Sequence, residues 1–107
     1  MVDAQSKTFL FLQGPHGPYF AMLADALRAR GHRALRININ GGDKVDWPGE
    51  GATDYRGTFR NWPIFFDDHI VNHGVTDLIL YGDCRPYHAS AHKMARLRGL
   101  RVHVVEE

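Results

Sequence analysis

Four segments of this chain have the length and apolar content of β-strands. Residues 7–13 (KTFLFLQ) and 76–81 (TDLILY) are almost continuously apolar, which is typical of strands buried on both faces of a parallel sheet. Residues 33–38 (RALRIN) alternate between polar and apolar side chains, which predicts a strand with a more exposed face, near a sheet edge. Residues 100–105 (LRVHVV) form the last predicted strand.

Three other segments carry apolar residues at helical spacing. They cover residues 19–30, 62–73 and 87–97, and Pro63 is well placed in the first turn of the second helix. Each segment is followed by a glycine that can end a helix: Gly31, Gly74 and Gly99. The elements therefore alternate between strand and helix.

The segment between the second strand and the second helix is different. Residues 40–57 contain five glycines and one proline, with turn-like sequences at both edges. The segment is longer than an ordinary connection, so we interpret it as a functional or mobile loop.

This order of elements predicts one α/β domain over residues 1–107, with three layers and a Rossmann-like or flavodoxin-like fold. Strands joined by crossover helices form a parallel sheet, here four-stranded, with helices on both faces. We favour the strand order 2-1-3-4, because the first and third strands are the most apolar and belong in the middle. The order 3-2-1-4 stays open.

Composition narrows the classes of partner. Thirteen Lys and Arg against twelve Asp and Glu give a formal charge of +1, which argues against general attraction to nucleic acid or anionic lipid. The one cysteine, Cys84, cannot form an internal disulfide and fits a reducing compartment. No segment approaches the roughly 18 apolar residues of a membrane span. We expect a cytoplasmic protein with at most peripheral contact at the inner face of the membrane.

In open parallel sheets, ligands bind beyond the carboxyl ends of the strands. The loop at residues 14–19 joins a buried strand to a helix N-terminus that suits a phosphate or carboxylate. It lacks the glycine patterns of dinucleotide-binding and P-loop proteins, which argues against both classes. A rigid turn without a ligand is the alternative.

The densest polar cluster follows the third strand. Asp83, Arg85 and His88 could supply a nucleophile or base, an anion clamp and a proton carrier. Alternatively, Asp83 caps the helix and Arg85 pairs with a carboxylate. Cys84 is interpreted as a small buried residue.

Other residues carry weaker signals. Histidines four residues apart, at 69 and 73 and at 88 and 92, could share a metal ion, but no third ligand is evident and we expect no metal site. Trp47, Tyr55 and Trp62 could stack on a sugar or base, although Trp62 also fits the core stripe of its helix.

Five segments together resemble the bacterial capsule polysaccharide biosynthesis and export proteins, understood as β-Kdo glycosyltransferases. They are FLQGPHGPYF at 11–20, RININGGD at 36–43, the W-P-G and D-Y-R-G sequences within 47–57, LILYGDCRPYH at 78–88 and RVHVVEE at 101–107. The resemblance spans nearly the whole chain. It implies the N-terminal half of a longer GT-B-like enzyme that transfers Kdo from CMP-Kdo to a lipid-linked acceptor, without a cofactor. A fragment of this kind is expected to be inactive alone.

The resemblance also implies roles for individual residues. Asp83 would be catalytic, as nucleophile or general base, with Glu106 as its partner acid. Arg85 and His88 would orient the Kdo carboxylate or the acceptor. The remaining expected substrate-binding residues are Gly14, His16, Gly17, Asn40 and Asp43.

Two other classes of protein stay open. One is a non-catalytic module that binds sugar or phosphate, or that docks on a C-terminal domain or on capsule assembly proteins. The weaker alternative is a small response-regulator-like or flavodoxin-like protein, for which the acidic pocket and the flavin loop are missing.

Overall fold

The computed structural model describes residues 6–12, 19–39, 51–82 and 85–105, which form five strands and three helices. The strands are β1 (Thr8–Leu12), β2 (Arg33–Ile39), β3 (Ala52–Tyr55), β4 (Asp77–Tyr81) and β5 (Arg101–Val105). The helices are α1 (Tyr19–Ala29), α2 (Trp62–Asn72) and α3 (Pro86–Leu97). The predicted three-layer α/β architecture is confirmed.

The strands form one parallel sheet in the order β3-β2-β1-β4-β5. The predicted order 2-1-3-4 corresponds to β2-β1-β4-β5 and is confirmed, whereas 3-2-1-4 is wrong. The predicted number of strands is also wrong, because β3 lies within the segment interpreted as a long loop.

Strand β3 forms because β2 offers it a complete backbone partner. Ala52, Thr53, Asp54 and Tyr55 pair with four consecutive residues of β2, from Arg36 to Ile39. The amide of Arg36 also donates to the carbonyl of Gly51 at 2.8 Å. Strand β2 is therefore an inner strand, and the expectation of an exposed strand near the edge is wrong.

The alternation of side chains across the sheet divides the core into two layers. Phe9, Phe11 and Ile79 pack against α1, through Phe20 and Ala24. The opposite face packs against α2 and α3, and its buried strand residues are Leu10, Leu12, Ile37, Ile39, Tyr55, Leu78 and Leu80. Each fully buried Leu, Ile or Phe side chain contributes roughly 1.5–3 kcal/mol, so the two apolar central strands hold helices on both faces.

Local signals set the helix ends. Pro63 and Pro86 lie in the first turns of α2 and α3, where a missing N–H costs no helical hydrogen bond. Helix α2 ends before Gly74, whose φ of +63° is in the left-handed region that favours glycine. The amide of Val75 then donates to the carbonyl of Ile70 at 3.0 Å, which closes the helix end.

Candidate functional site at the carboxyl edge of the sheet

The carboxyl ends of β1 and β4 mark the point where the connections leave the sheet in opposite directions. These strands are neighbours, yet β1 leads into α1 on one face and β4 into α3 on the other. A crevice between two such strands is the usual ligand site of an open parallel sheet. This is the edge that the sequence indicates, and a ligand site there stays a prediction.

Most predicted site residues lie outside the described residues. These are the two catalytic candidates and five substrate-binding candidates, namely Asp83, Glu106, Gly14, His16, Gly17, Asn40 and Asp43. Their roles stay predictions. The strands that precede them, β4, β5, β1 and β2, are consecutive neighbours in the sheet.

Gly82 and Arg85 frame the junction between β4 and α3. Gly82 has a φ of +73°, and its amide donates to the carbonyl of Val105 at 2.9 Å. Arg85 occupies the N-cap position of α3 with extended backbone and an exposed side chain. Its predicted role as an anion clamp stays a prediction.

His88 is in a different environment from Arg85. It is only 3% exposed and lies three and seven residues before Ala91 and Ala95, which are buried where α3 packs on the sheet. The two predicted residues share one helix turn, but only Arg85 is open to solvent. The predicted role of His88 as a ligand contact stays a prediction, and in this structure its side chain is buried.

Two of the three aromatic residues that were expected to stack on a sugar or base are buried. Tyr55 is 6% exposed and Trp62 fully buried, so neither offers a face to a ligand, and Trp47 lies outside the described residues. Tyr55 packs on Trp62 and Phe65 because all three fill the core between β3 and α2. Burial raises the pKa of the Tyr55 hydroxyl.

Phe59 is an exposed aromatic residue that sequence reasoning missed. It lies in the turn between β3 and α2, is 47% exposed, and contacts Tyr87 edge to face with ring centroids 5.0 Å apart. Tyr87 belongs to the first turn of α3. The available signal was an apolar residue between polar neighbours in the segment TFRN.

A chain of polar side chains crosses β2 and β3 on the face that carries α1. The Arg36 guanidinium donates from Nε to Oδ1 of Asn38, and both side chains are fully buried. Asn38 donates from Nδ2 to Oδ1 of Asp54 at 3.2 Å, and Arg56 pairs with the other carboxylate oxygen at 3.3 Å. These hydrogen bonds hold the Asp54 carboxylate in place near the end of β3. The pattern of polar and apolar residues did not predict this arrangement.

Of the two histidines at the end of α2, His69 is buried in the core, whereas His73 is the exposed C-cap residue. His69 is 7% exposed, and its ring centroid lies 4.3 Å from that of His73. Burial, and secondarily His73, lowers the pKa of His69 to about 4. In the described part of the chain, no three His, Cys, Asp or Glu side chains come together as metal ligands would.

None of the described helices combines the length and the apolar character needed to cross a bilayer.

Comparison with known proteins gives a consistent group of relatives, although no protein-family model matches the chain. The chain is 33% identical over 101 residues to the capsule polysaccharide export protein KpsS of Escherichia coli, covering 94% of this chain and 26% of KpsS. It is 34% identical over 92 residues to the capsule polysaccharide modification protein LipB of Neisseria meningitidis serogroup A, covering 84% of this chain and 22% of LipB. LipB of serogroup B gives the same values.

The matches cover nearly the whole chain but about a quarter of each relative. The resemblance drawn from the five sequence segments is confirmed. This chain is a relative of the capsule polysaccharide export and modification proteins.

Proposed function

We propose that this chain works in capsule polysaccharide modification or export, as part of a glycosyltransferase that transfers Kdo from CMP-Kdo to a lipid-linked acceptor. The observation that carries the proposal is the match of 33–34% identity to KpsS and LipB, whose names give capsule polysaccharide export and modification. The exposed Arg85 at the start of α3 supports it, because a guanidinium in that position can bind the carboxylate of an acidic sugar.

In the proposed reaction, the bond between the anomeric carbon of Kdo and the CMP phosphate breaks. A bond to the acceptor oxygen forms, CMP leaves, and the acceptor hydroxyl proton passes to a carboxylate. Asp83 acts as the nucleophile or base, with Glu106 as its partner acid. Both residues follow neighbouring strands, β4 and β5.

Arg85 binds the carboxylate of the acidic sugar, because a guanidinium forms two parallel hydrogen bonds with a carboxylate. His88 contacts the ligand from beneath α3. The loops with Gly14, His16 and Gly17 and with Asn40 and Asp43 complete the substrate contacts, and the reaction takes place at the cytoplasmic face of the membrane.

Binding is tested by NMR titration of this chain with Kdo, CMP and inorganic phosphate in separate experiments. We expect Kdo to shift the amide signals of Gly82, Arg85 and Tyr87, and Arg85→Ala to remove those shifts. Arg96→Ala, an exposed arginine three turns along the same helix, is the matched control. The absence of Kdo-dependent shifts at this edge contradicts the proposal.

Transfer is tested with the complete gene product that contains this chain, by measuring CMP release from CMP-Kdo with a lipid-linked acceptor. We expect Asp83→Asn to lower the rate by at least about 100-fold, the size of a general acid or base contribution. Undiminished transfer by this variant rules out the assigned role. Kdo binding without transfer by the unsubstituted protein favours the alternative, a non-catalytic sugar-binding module.

A further inference from the structure

The turn that presents Phe59 is held in place by three independent contacts. The Tyr55 hydroxyl donates to the carbonyl of Thr58, the amide of Trp62 donates to the carbonyl of Phe59 at 3.2 Å, and the amide of Asn61 donates to Thr58. These bonds tie the turn to β3 on one side and to α2 on the other. The exposed Phe59 therefore lies in a turn whose backbone is held by hydrogen bonds.

Gly57 makes this arrangement sterically feasible. A Cβ at residue 57 would lie 2.5 Å from the Tyr55 hydroxyl oxygen and 2.8 Å from its Cζ, both far inside van der Waals contact. The Tyr55 ring thus passes over the backbone of Gly57 to reach Thr58. Any side chain at residue 57 would displace the ring that holds the turn.

Tyr87 connects Phe59 to the start of α3. Its ring contacts Phe59 at 5.0 Å and Trp62 at 5.3 Å, and its carbonyl accepts a hydrogen bond from the Trp62 indole at 3.2 Å. Tyr87 follows Arg85 by two residues, within the first turn of α3. The exposed aromatic ring and the exposed guanidinium are thus tied to the same helix start.

The surroundings of this surface are cationic. Arg60, next to Phe59 in the turn, and Arg85, at the start of α3, are both exposed. An occupant should therefore combine an apolar face with a negative charge. An acidic pyranose has both, because its ring carries a face of C–H groups and its carboxylate suits a guanidinium.

We propose that Phe59, backed by Tyr87, is the stacking surface for the ring of an acidic sugar whose carboxylate is bound by Arg85. This inference rests on the proposed function and names a specificity-determining residue for it. The rigid turn matters because a side chain ordered before binding loses less conformational entropy when the ligand arrives.

The test uses NMR titration of this chain with Kdo, with glucose as a neutral sugar, and with CMP. Kdo should shift the ring protons of Phe59 and Tyr87, glucose should shift them weakly, and CMP should leave them unchanged. Phe59→Leu keeps an apolar side chain but loses the aromatic face, and it should raise the Kd for Kdo about three- to tenfold. Leu97→Ala, an exposed apolar residue at the far end of α3, is the matched control and should leave the Kd unchanged.

The outcomes separate the two proposals. If Kdo shifts Arg85 but Phe59→Leu binds it with unchanged Kd, the stacking role is wrong while the proposed function stands. If CMP shifts the Phe59 ring and Kdo does not, the occupant is a nucleobase and the sugar assignment is wrong. If Kdo shifts neither residue, both proposals fail.

Discussion

The indole Nε1 of Trp62 donates a hydrogen bond to the backbone carbonyl of Tyr87 at 3.2 Å. Trp62 is the first residue of α2, and Tyr87 lies in the first turn of α3. The bond joins the starts of the two helices on the same face of the sheet. Because Trp62 is fully buried, this contact is shielded from water and helps to set the position of the α3 start, where Arg85 and His88 are found.

Trp62→Phe should destabilise the protein by about 2 kcal/mol, through the lost hydrogen bond and the smaller ring. Urea denaturation of the variant measures the change in the free energy of unfolding. Phe59→Leu is a useful control, since it alters a half-exposed ring in the same aromatic cluster and should change stability by less than about 1 kcal/mol. Equal stability of Trp62→Phe and the parent would show that the indole contact is dispensable.

Gly57→Ala should loosen the turn that carries Phe59. The added methyl group would meet the Tyr55 hydroxyl at 2.5 Å, so the ring or the backbone has to move. We expect a loss of roughly 1–3 kcal/mol in the free energy of unfolding, the usual cost of overpacking. Gly74→Ala is the contrasting variant, because its Cβ meets nothing within 4 Å and its cost comes only from a φ of +63°.

The measurement for Gly57 has two parts. Thermal or urea unfolding gives stability, and the ring signals of Tyr55 and Phe59 report the local structure. Gly57→Ala should shift both rings, whereas Gly74→Ala should leave them in place. Unchanged ring signals in Gly57→Ala would contradict the steric explanation.

Asn38→Ala should be destabilising, because Asn38 is a buried polar residue of β2 with hydrogen-bond partners on both sides. Its side chain accepts from Arg36 and donates to Asp54, and both Asn38 and Arg36 are buried. Loss of a partner for buried polar groups costs roughly 1–3 kcal/mol. Denaturant unfolding measures this cost, and Asn72→Ala, at an exposed position of α2, is the control. A variant as stable as the parent would mean that the polar chain contributes nothing to β2 and β3.

Stability should fall as the pH is lowered from about 6.5 toward 4 because of His69. Burial, then His73, holds the pKa of His69 near 4, below the value of 6.5 for an unperturbed imidazole. The unfolded chain therefore binds a proton at a higher pH than the folded chain does. The contribution of neutral His69 to the free energy of unfolding is complete above pH 6.5. It decreases by at most about 3 kcal/mol as the pH falls toward 4.

The pH dependence is checked by urea unfolding between pH 4 and 7. His69→Leu should make the free energy of unfolding less dependent on pH, since leucine takes up no proton. His73→Ala should raise the pKa of His69 and so reduce the loss, because His73 contributes to the lowering. An identical slope in the parent and in His69→Leu would show that other groups cause the acid sensitivity.

The sequence by itself predicted four of the five strands and all three helices, and it favoured the observed relative order of those four strands over one alternative. The signals are local: continuous apolar runs for β1 and β4, helical spacing for α2, and a glycine after each helix. It also indicated the edge at which the candidate site lies, because parallel strands present their carboxyl ends together. Of the predicted site residues, Arg85 and His88 are within the described structure, at the start of α3.

The tertiary structure alone decided the fifth strand, the burial of Arg36 and Asn38, and the exposure of Phe59. Residues 52–55 have no apolar alternation, and β3 exists because β2 supplies backbone hydrogen-bond partners along its outer side. Once β3 is in place, β2 becomes an inner strand. Its residues Arg36 and Asn38 are then buried and bond to each other, and Asn38 bonds to Asp54. Pairing across a sheet joins residues that are distant in sequence, so local periodicity does not reveal it.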